Sequence, residues 1–310
     1  MGIDEQSQTD ETHVDVSIII STHNRKEELF RTINNILVNT SGNYEIIVVS
    51  AKSTDGTDEE VGYRFPEVKL IRASDVGWGE SNNIGAKIAK GDYFYFSGPD
   101  MEFESGWLSE ILQVASQVEN LGSIGCVLFR EFLNKGTFIT GGTNVRFLYL
   151  TQKAISLPEG KYKLFMQQNR VLDVDAVHYP LVPRYVYYKV GGFDPEYFFI
   201  ADENDLGLRI KRMGLRNVIC FGRWTKTDLT PFSEKAFYYW HRNWVRMIIK
   251  MNNFFVLPFA LAYPFAKFTI QFFFHSIKGN KNLRRLILRG ISWNLTHFNE
   301  TRISIRQKYI

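Results

Sequence analysis

Four short apolar runs, separated by stretches with helical spacing, constrain this chain more than anything else in it. VDVSIII at 14–20 is the first, and Ser21-Thr22-His23-Asn24 breaks it. Apolar positions over 27–38 then recur at helical intervals. YEIIVV at 44–49 is a second buried strand, ended by Ser53-Thr54-Asp55-Gly56-Thr57. Residues 68–72 and 93–96 read as two more strands, with a helix over 80–90 that Gly91 ends. Strand, helix, strand, helix at this spacing predicts a parallel α/β sheet. Ligands of such sheets bind at the carboxyl ends of the strands. Residues 21–25, 50–57 and 97–102 should therefore meet in one crevice.

The 310 residues suit one large domain, or a domain with an appendage. A 45% hydrophobic content, with 15% aromatics, can fill its core. Cys126 and Cys220 both sit in apolar runs and read as buried free thiols of a reducing compartment. Residues 1–13 are polar and acidic, without the apolar core of a signal peptide, and read as a disordered tail. The net charge of +4 is uneven. Residues 275–310 hold eight Lys or Arg and one acid, a net +7, which leaves −3 for the rest. A near-neutral body with a basic end suits an anionic surface. Nucleic acid is a poor fit, because the adjoining apolar run has no place in a nucleic-acid arm.

That run, 254–274, carries Lys267 as its one charge and is long enough to cover a ~30 Å hydrocarbon core. Pro258 and Pro264 should interrupt it, and basic residues flank both ends. Lying in the membrane interface or re-entering from one side fits this pattern best. A spanning helix and a buried helical hairpin stay open as alternatives.

The densest chemistry is at 191–209. A Gly191-Gly192 turn and an aromatic run lead into Asp202-Glu203-Asn204-Asp205, and a helix follows with Leu206, Leu208, Ile210 and Met213 as its apolar positions. Carboxylates at a helix N-terminus are favourable on dipole grounds alone. Ordinary capping would account for a lone acidic triplet.

Four strings in order, VSIIISTHNR at 16–25, EIIVVSAKSTDGT at 45–57, SNNIGAKIAKGDYFYFSGPDMEFESGWL at 81–108 and GGFDPEYFFIADENDLGLRIKRMG at 191–214, resemble the family 2 glycosyltransferases of GT-A fold, closest to their rhamnosyltransferase-like branch. The likeness covers about 14–250. It implies a GT-A domain at 14–235 and a helical, basic and apolar, membrane-associated extension at 236–310. It also implies transfer of a sugar from a nucleotide-diphosphate sugar to a hydroxyl, with inversion.

By the same resemblance the general base is the second acid of the pair, Glu203, with Asp202 as second candidate because the family order is swapped here. Asp205 caps or orients the helix. Thr22, Asn24, Arg25, Ser50, Asp55, Asn82, Pro99 and Asp100 would line the nucleotide-sugar site. Asp100 would be the single protein ligand of a Mg or Mn ion, because Gly98 stands where relatives carry a side chain. Ser50 replaces a base-reading aspartate. A downstream histidine is missing, and Arg223 or Lys226 could neutralise the diphosphate in its place. Solvated surface charges are the equal alternative for both. His23 reads as a polar loop residue and Trp107 as a core anchor.

The acceptor implied is a lipid-linked glycan or polyprenyl phosphate at the cytoplasmic face of the cell membrane, held peripherally or monotopically. Self-association is left open. The competing reading is a catalytically weak relative serving as a binding or scaffold subunit.

Overall fold

The structure is a computed structural model that describes residues 13–132, 136–146, 151–158, 171–227 and 233–302. The expected tail, apart from His13, lies outside the described residues, as do 303–310 of the basic end. The chain opens with β1 (Val16–Thr22), α1 (Lys26–Asn39), β2 (Tyr44–Ala51), α2 (Thr57–Arg64), β3 (Lys69–Ala73), α3 (Trp78–Ala86) and β4 (Tyr93–Ser97). The strands run parallel in the order β3-β2-β1-β4. Their unbroken apolar character follows from burial on both faces. Ile18, Ile20 and Val48 pack with Leu29, Ile33 and Ile36 of α1 on one side. Ile19, Ile47 and Val49 pack with Ala86 of α3 on the other. The strand period of two sends alternate residues into separate cores. α3 stops at Ala86, short of the expected 80–90, and the Gly91 amide beyond it donates to Ser17 Oγ at 2.9 Å.

The chain continues with β5 (Met101–Phe103), α4 (Trp107–Ala115), β6 (Leu121–Phe132), β7 (Gly136–Arg146), β8 (Thr151–Pro158), β9 (Val171–Val174), β10 (Ala176–Val177), β11 (Leu181–Pro183) and α5 (Arg184–Lys189). A 3-10 turn at Pro195–Tyr197 then leads to α6 (Asp202–Arg212) and β12 (Arg216–Thr227). The expected parallel pairing holds for β1 to β4, and beyond them the sheet continues with antiparallel strands. β11 runs antiparallel to both β4 and β6, β6 to β7, and β7 to β8. Hairpin-length links permit antiparallel pairing, whereas a parallel neighbour needs a crossover. β12 is parallel to β6 and antiparallel to β5 and β9. It runs on to Thr227 through a register shift between Cys220 and Trp224. Cys126 and Cys220 lie opposite each other in the β6–β12 ladder, both buried and unbridged. Trp107 is the expected anchor, fully buried, stacked on Phe103 at 4.5 Å and donating to Thr40 Oγ1.

Three helices complete the described chain: α7 (Glu234–Met251), α8 (Leu257–Ile277) and α9 (Lys281–Thr296). Trp244, Val245 and Met247 of α7 share a core with Tyr197, Ala201 and Leu208. α8 corrects the expectation that two prolines break it. Pro258 occupies the first turn, where a missing N–H costs nothing, and Pro264 is carried inside one continuous helix. Its apolar window is only 22% buried, so it is not the core helix of this chain.

Candidate active site

The approach to α6 is held in an unusual backbone conformation. Phe198, Ile200 and Ala201 all have positive φ, at 61°, 70° and 69°. L-residues avoid this region, so the surrounding structure must impose it. Two contacts do so. The Asn243 amide nitrogen on α7 lies 2.8 Å from each of three carbonyl oxygens, those of Tyr197, Phe199 and Ile200. On the other side Trp78 N–H donates to Phe198 O at 2.6 Å. Gly77 makes that approach possible, because a Cβ there would lie 2.0 Å from the same oxygen.

Capping accounts for one bond of the acidic cluster, from the Glu203 amide to Asp202 Oδ1. Ala201 is the N-cap and makes no side-chain cap bond. Asp205 is fully buried in an ion network: Arg209 Nε at 2.7 Å, Lys250 Nζ at 2.6 Å and the Tyr197 hydroxyl at 3.2 Å. Lys250 also bonds Asp194 at 2.8 Å, and Arg246 bonds Asp194 at 3.0 Å. Burial by itself would raise Asp194 and Asp205. The cations Lys250 and Arg246 around Asp194, and Arg209 and Lys250 around Asp205, outweigh it and hold both below the usual carboxylate range.

Glu203 turns the other way, towards the loop between β10 and β11. Its Oε2 is 2.8 Å from His178 Nδ1 and its Oε1 accepts the Tyr179 amide at 2.7 Å. Tyr179 itself has φ 49° although it precedes Pro180, a position normally confined to extended conformations. Its ring packs edge-on to Trp78 at 6.4 Å. A Cβ placed on Gly98 would touch that ring at 3.4 Å and Asp100 Oδ1 at 2.9 Å. Glu203, Tyr179, Gly98 and Asp100 thus form one chain of neighbours from α6 to the end of β4. The sequence reading missed His178 and Tyr179. The one local signal was the proline after them.

Asp202 points inward. It is 5% exposed, its Oδ1 accepts the Glu203 amide, and its Oδ2 is buried with no partner among the described residues. Burial, with the Glu203 charge beside it, pushes its pKa up to about 7 from an ordinary 3.8. Between roughly pH 4 and 7 the folded chain therefore holds a proton that the unfolded chain has lost. Stability from this site is complete below about pH 4 and disappears as pH rises through 7. In chemical denaturation, Asp202→Asn should gain up to about 3–4 kcal/mol on the wild type between pH 4 and 8. Parallel stability–pH curves for the two proteins would show that Asp202 ionises freely.

The strand ends come together as the spacing required. Thr22 and Ser50 are opposite each other at the ends of β1 and β2, and both hydroxyls are buried without partners among the described residues. Asn24, at φ 51°, accepts the Thr54 amide at 2.6 Å and so ties the two strand-end loops together. Asp55 has a scaffolding task, accepting the Lys26 amide at 3.0 Å and the Thr57 hydroxyl at 2.5 Å. His23 is a loop residue 2.6 Å from Ala51 O. The Pro99–Asp100 turn is fixed by α1, where Thr32 Oγ1 donates to Pro99 O at 2.7 Å and accepts the Met101 amide at 2.9 Å. Asn82 donates to Trp78 O at 3.0 Å and keeps a buried Oδ1 without a partner among the described residues.

Asp100 meets Arg25 Nη1 at 3.4 Å. Arg223 and Lys226 lie within β12 rather than in a loop after it, because the strand runs on beside β5. There they face Glu104 at 3.3 Å and Glu102 at 3.9 Å. Among the described residues no three metal-binding side chains are grouped. A single carboxylate with a counter-charged arginine suits only a cation that draws its other ligands from phosphate and water.

The class is defined by this geometry: an α/β domain of GT-A type with a carboxylate at a helix N-terminus facing the ends of a parallel sheet. GalNAc-T7, crystallised with UDP, GalNAc and Mn2+, shares the fold at a TM-score of 0.59 and 17% identity, over 77% of this chain and 48% of that one. Residues 17–168 match the family described as Glycosyl transferase family 2. An uncharacterized glycosyltransferase of Haemophilus influenzae is 23% identical over 88% of this chain and 93% of its own length. The O-antigen biosynthesis protein RfbC of Myxococcus xanthus is 28% identical over 66% of this chain and 16% of its own length. An N-acetylglucosaminyl-diphospho-decaprenol L-rhamnosyltransferase of Mycobacterium tuberculosis is 21% identical over 65% of this chain and 72% of its own length.

Proposed function

We propose that this chain is an inverting glycosyltransferase that moves a sugar from a nucleotide-diphosphate sugar to a hydroxyl of a lipid-linked glycan. The observation that carries the reading is the placement of Glu203. It accepts the Tyr179 amide and lies 2.8 Å from His178 Nδ1 at a helix N-terminus, joined through Tyr179 and Gly98 to the Asp100 turn. A carboxylate so oriented can take the proton of an attacking hydroxyl. Thr22, Ser50 and Asn82 supply polar groups at the donor end, and Arg25 with Lys226 and Arg223 supplies positive charge for the diphosphate. A Mg or Mn ion, when bound, would be held at Asp100 and would neutralise part of that charge. The decaprenol-linked acceptor in the mycobacterial relative's name supports the acceptor class. Thermal shift against a panel of nucleotide-diphosphate sugars, with and without Mn or Mg, tests donor binding. Proton NMR of the product then tests inversion. Retained anomeric configuration, or no stabilisation by any donor, would refute the reading; the latter would favour the scaffold alternative.

The same reading puts the enzyme on the cytoplasmic face of the membrane, peripherally, through α8 and α9. Phe255 just before α8, and Phe259 and Ile277 on it, are 85%, 76% and 88% exposed; Lys267 lies on α8, Lys278 between the two helices, and Lys281, Arg284, Arg285 and Arg289 on α9. Each basic residue near an anionic leaflet adds about 1 kcal/mol. Cosedimentation with vesicles containing phosphatidylserine is expected. Exchanging Phe255 and Phe259 for serine should lower it several-fold, and higher salt should weaken it. Equal binding to vesicles without charged lipid would count against this placement.

A further inference from the structure

We infer that His178 is the positioning residue for Glu203: its ring, together with the Tyr179 amide, locks the Glu203 carboxylate in the orientation from which it accepts the acceptor's proton. The inference rests on the transfer reading above and deepens it. Glu203 lies on α6 and His178 on the loop after β10, 25 residues apart, and no sequence motif joins them. Three independent bonds fix the histidine and its neighbour. His178 N–H donates to Gly141 O at 3.2 Å, which anchors the backbone to β7. The far ring nitrogen, Nε2, is 3.1 Å from Thr143 Oγ1. The near one, Nδ1, is 2.8 Å from Glu203 Oε2.

One tautomer satisfies all of them. With the proton on Nδ1, the ring donates to the carboxylate and Nε2 accepts the Thr143 hydroxyl. Tyr179 adds the second donor from a backbone held at φ 49° before a proline, a conformation that contributes nothing on its own account. Each Glu203 oxygen thereby keeps a lone pair for the incoming hydroxyl, while rotation of the carboxylate is blocked. Such orientation acts on the chemical step rather than on donor binding.

The test compares His178→Ala and His178→Asn, with Glu203→Gln as control. Asparagine keeps an N–H near the Nδ1 position, whereas alanine removes it. His178→Ala should lower kcat about 100-fold with donor KM unchanged. His178→Asn should recover most of that loss. Long-range proton–nitrogen NMR on the wild-type chain should find the His178 proton on Nδ1. Full kcat in His178→Ala, no better rate in His178→Asn, or a proton on Nε2 would each overturn the inference. A wild type inert with every donor would sink the transfer reading, and the NMR result would still decide the clamp. An undiminished Glu203→Gln would remove both.

Discussion

Replacing Glu203 with glutamine is expected to lower the turnover of sugar transfer about a thousand-fold while donor affinity stays near wild type. The size follows from the loss of general-base catalysis, which contributes roughly 10²–10⁴. Glutamine keeps the length and one carbonyl oxygen, so the bond from either His178 or the Tyr179 amide survives. What it cannot do is accept a proton. Asp202→Asn provides the contrast. That carboxyl is buried and bonded only to the Glu203 amide among the described residues, so its change should move the stability–pH curve and leave most of kcat. Initial rates with a saturating donor, for the two variants side by side, decide between the carboxylates. A larger loss in Asp202→Asn would return the base to Asp202.

The second large effect is on stability. Lys250→Met should cost about 3–5 kcal/mol, because removing one partner leaves buried charge uncompensated. Lys250 is 4% exposed and, among the described residues, is the one cation bonded to both Asp194 and Asp205. Without it the described partners leave Arg246 to Asp194 and Arg209 to Asp205. Asp194→Asn in the same background should return part of the loss, since contacting partners are not additive. Thermal melting of the single and double variants reads this directly. An unchanged melting temperature in Lys250→Met would mean the network contributes nothing. The network also sets an acid limit. Its depressed carboxylates add stability that is complete above the ordinary aspartate range and lost as pH falls below it, opposite in sign to Asp202.

This arrangement gives the C-terminal helices a share in the site. Asn243, Arg246 and Lys250 all stand on α7. Through them the same helix clamps the carbonyls before α6 and neutralises the acid within it. The segment 237–251 mixes aromatic and basic residues, and most of its charged positions are buried. Charge at helical spacing does not say whether it faces water or a buried carboxylate.

Local pattern was enough for the parts of this protein whose physics is local. Apolar runs of strand length between helical stretches yielded β1 to β4 and the meeting of their polar ends, because burial on both faces leaves a periodic trace. The acidic start of α6 was visible for the same reason, as was Trp107 in the core. What local pattern could not carry was pairing across distance. The antiparallel half of the sheet, the extension of β12 that takes in Arg223 and Lys226, and the continuity of α8 through Pro264 depend on neighbours far away in sequence. So does the division of labour among three adjacent carboxylates. Asp202, Glu203 and Asp205 are near-equivalent as letters. A helix turns about 100° per residue, which sends one into a buried position where its Oδ2 has no partner among the described residues, one to His178 and one to Lys250. Only the tertiary structure, by surrounding each with a different environment, makes one of them a carboxylate held at His178 and Tyr179, one a buried acid and one a structural anion.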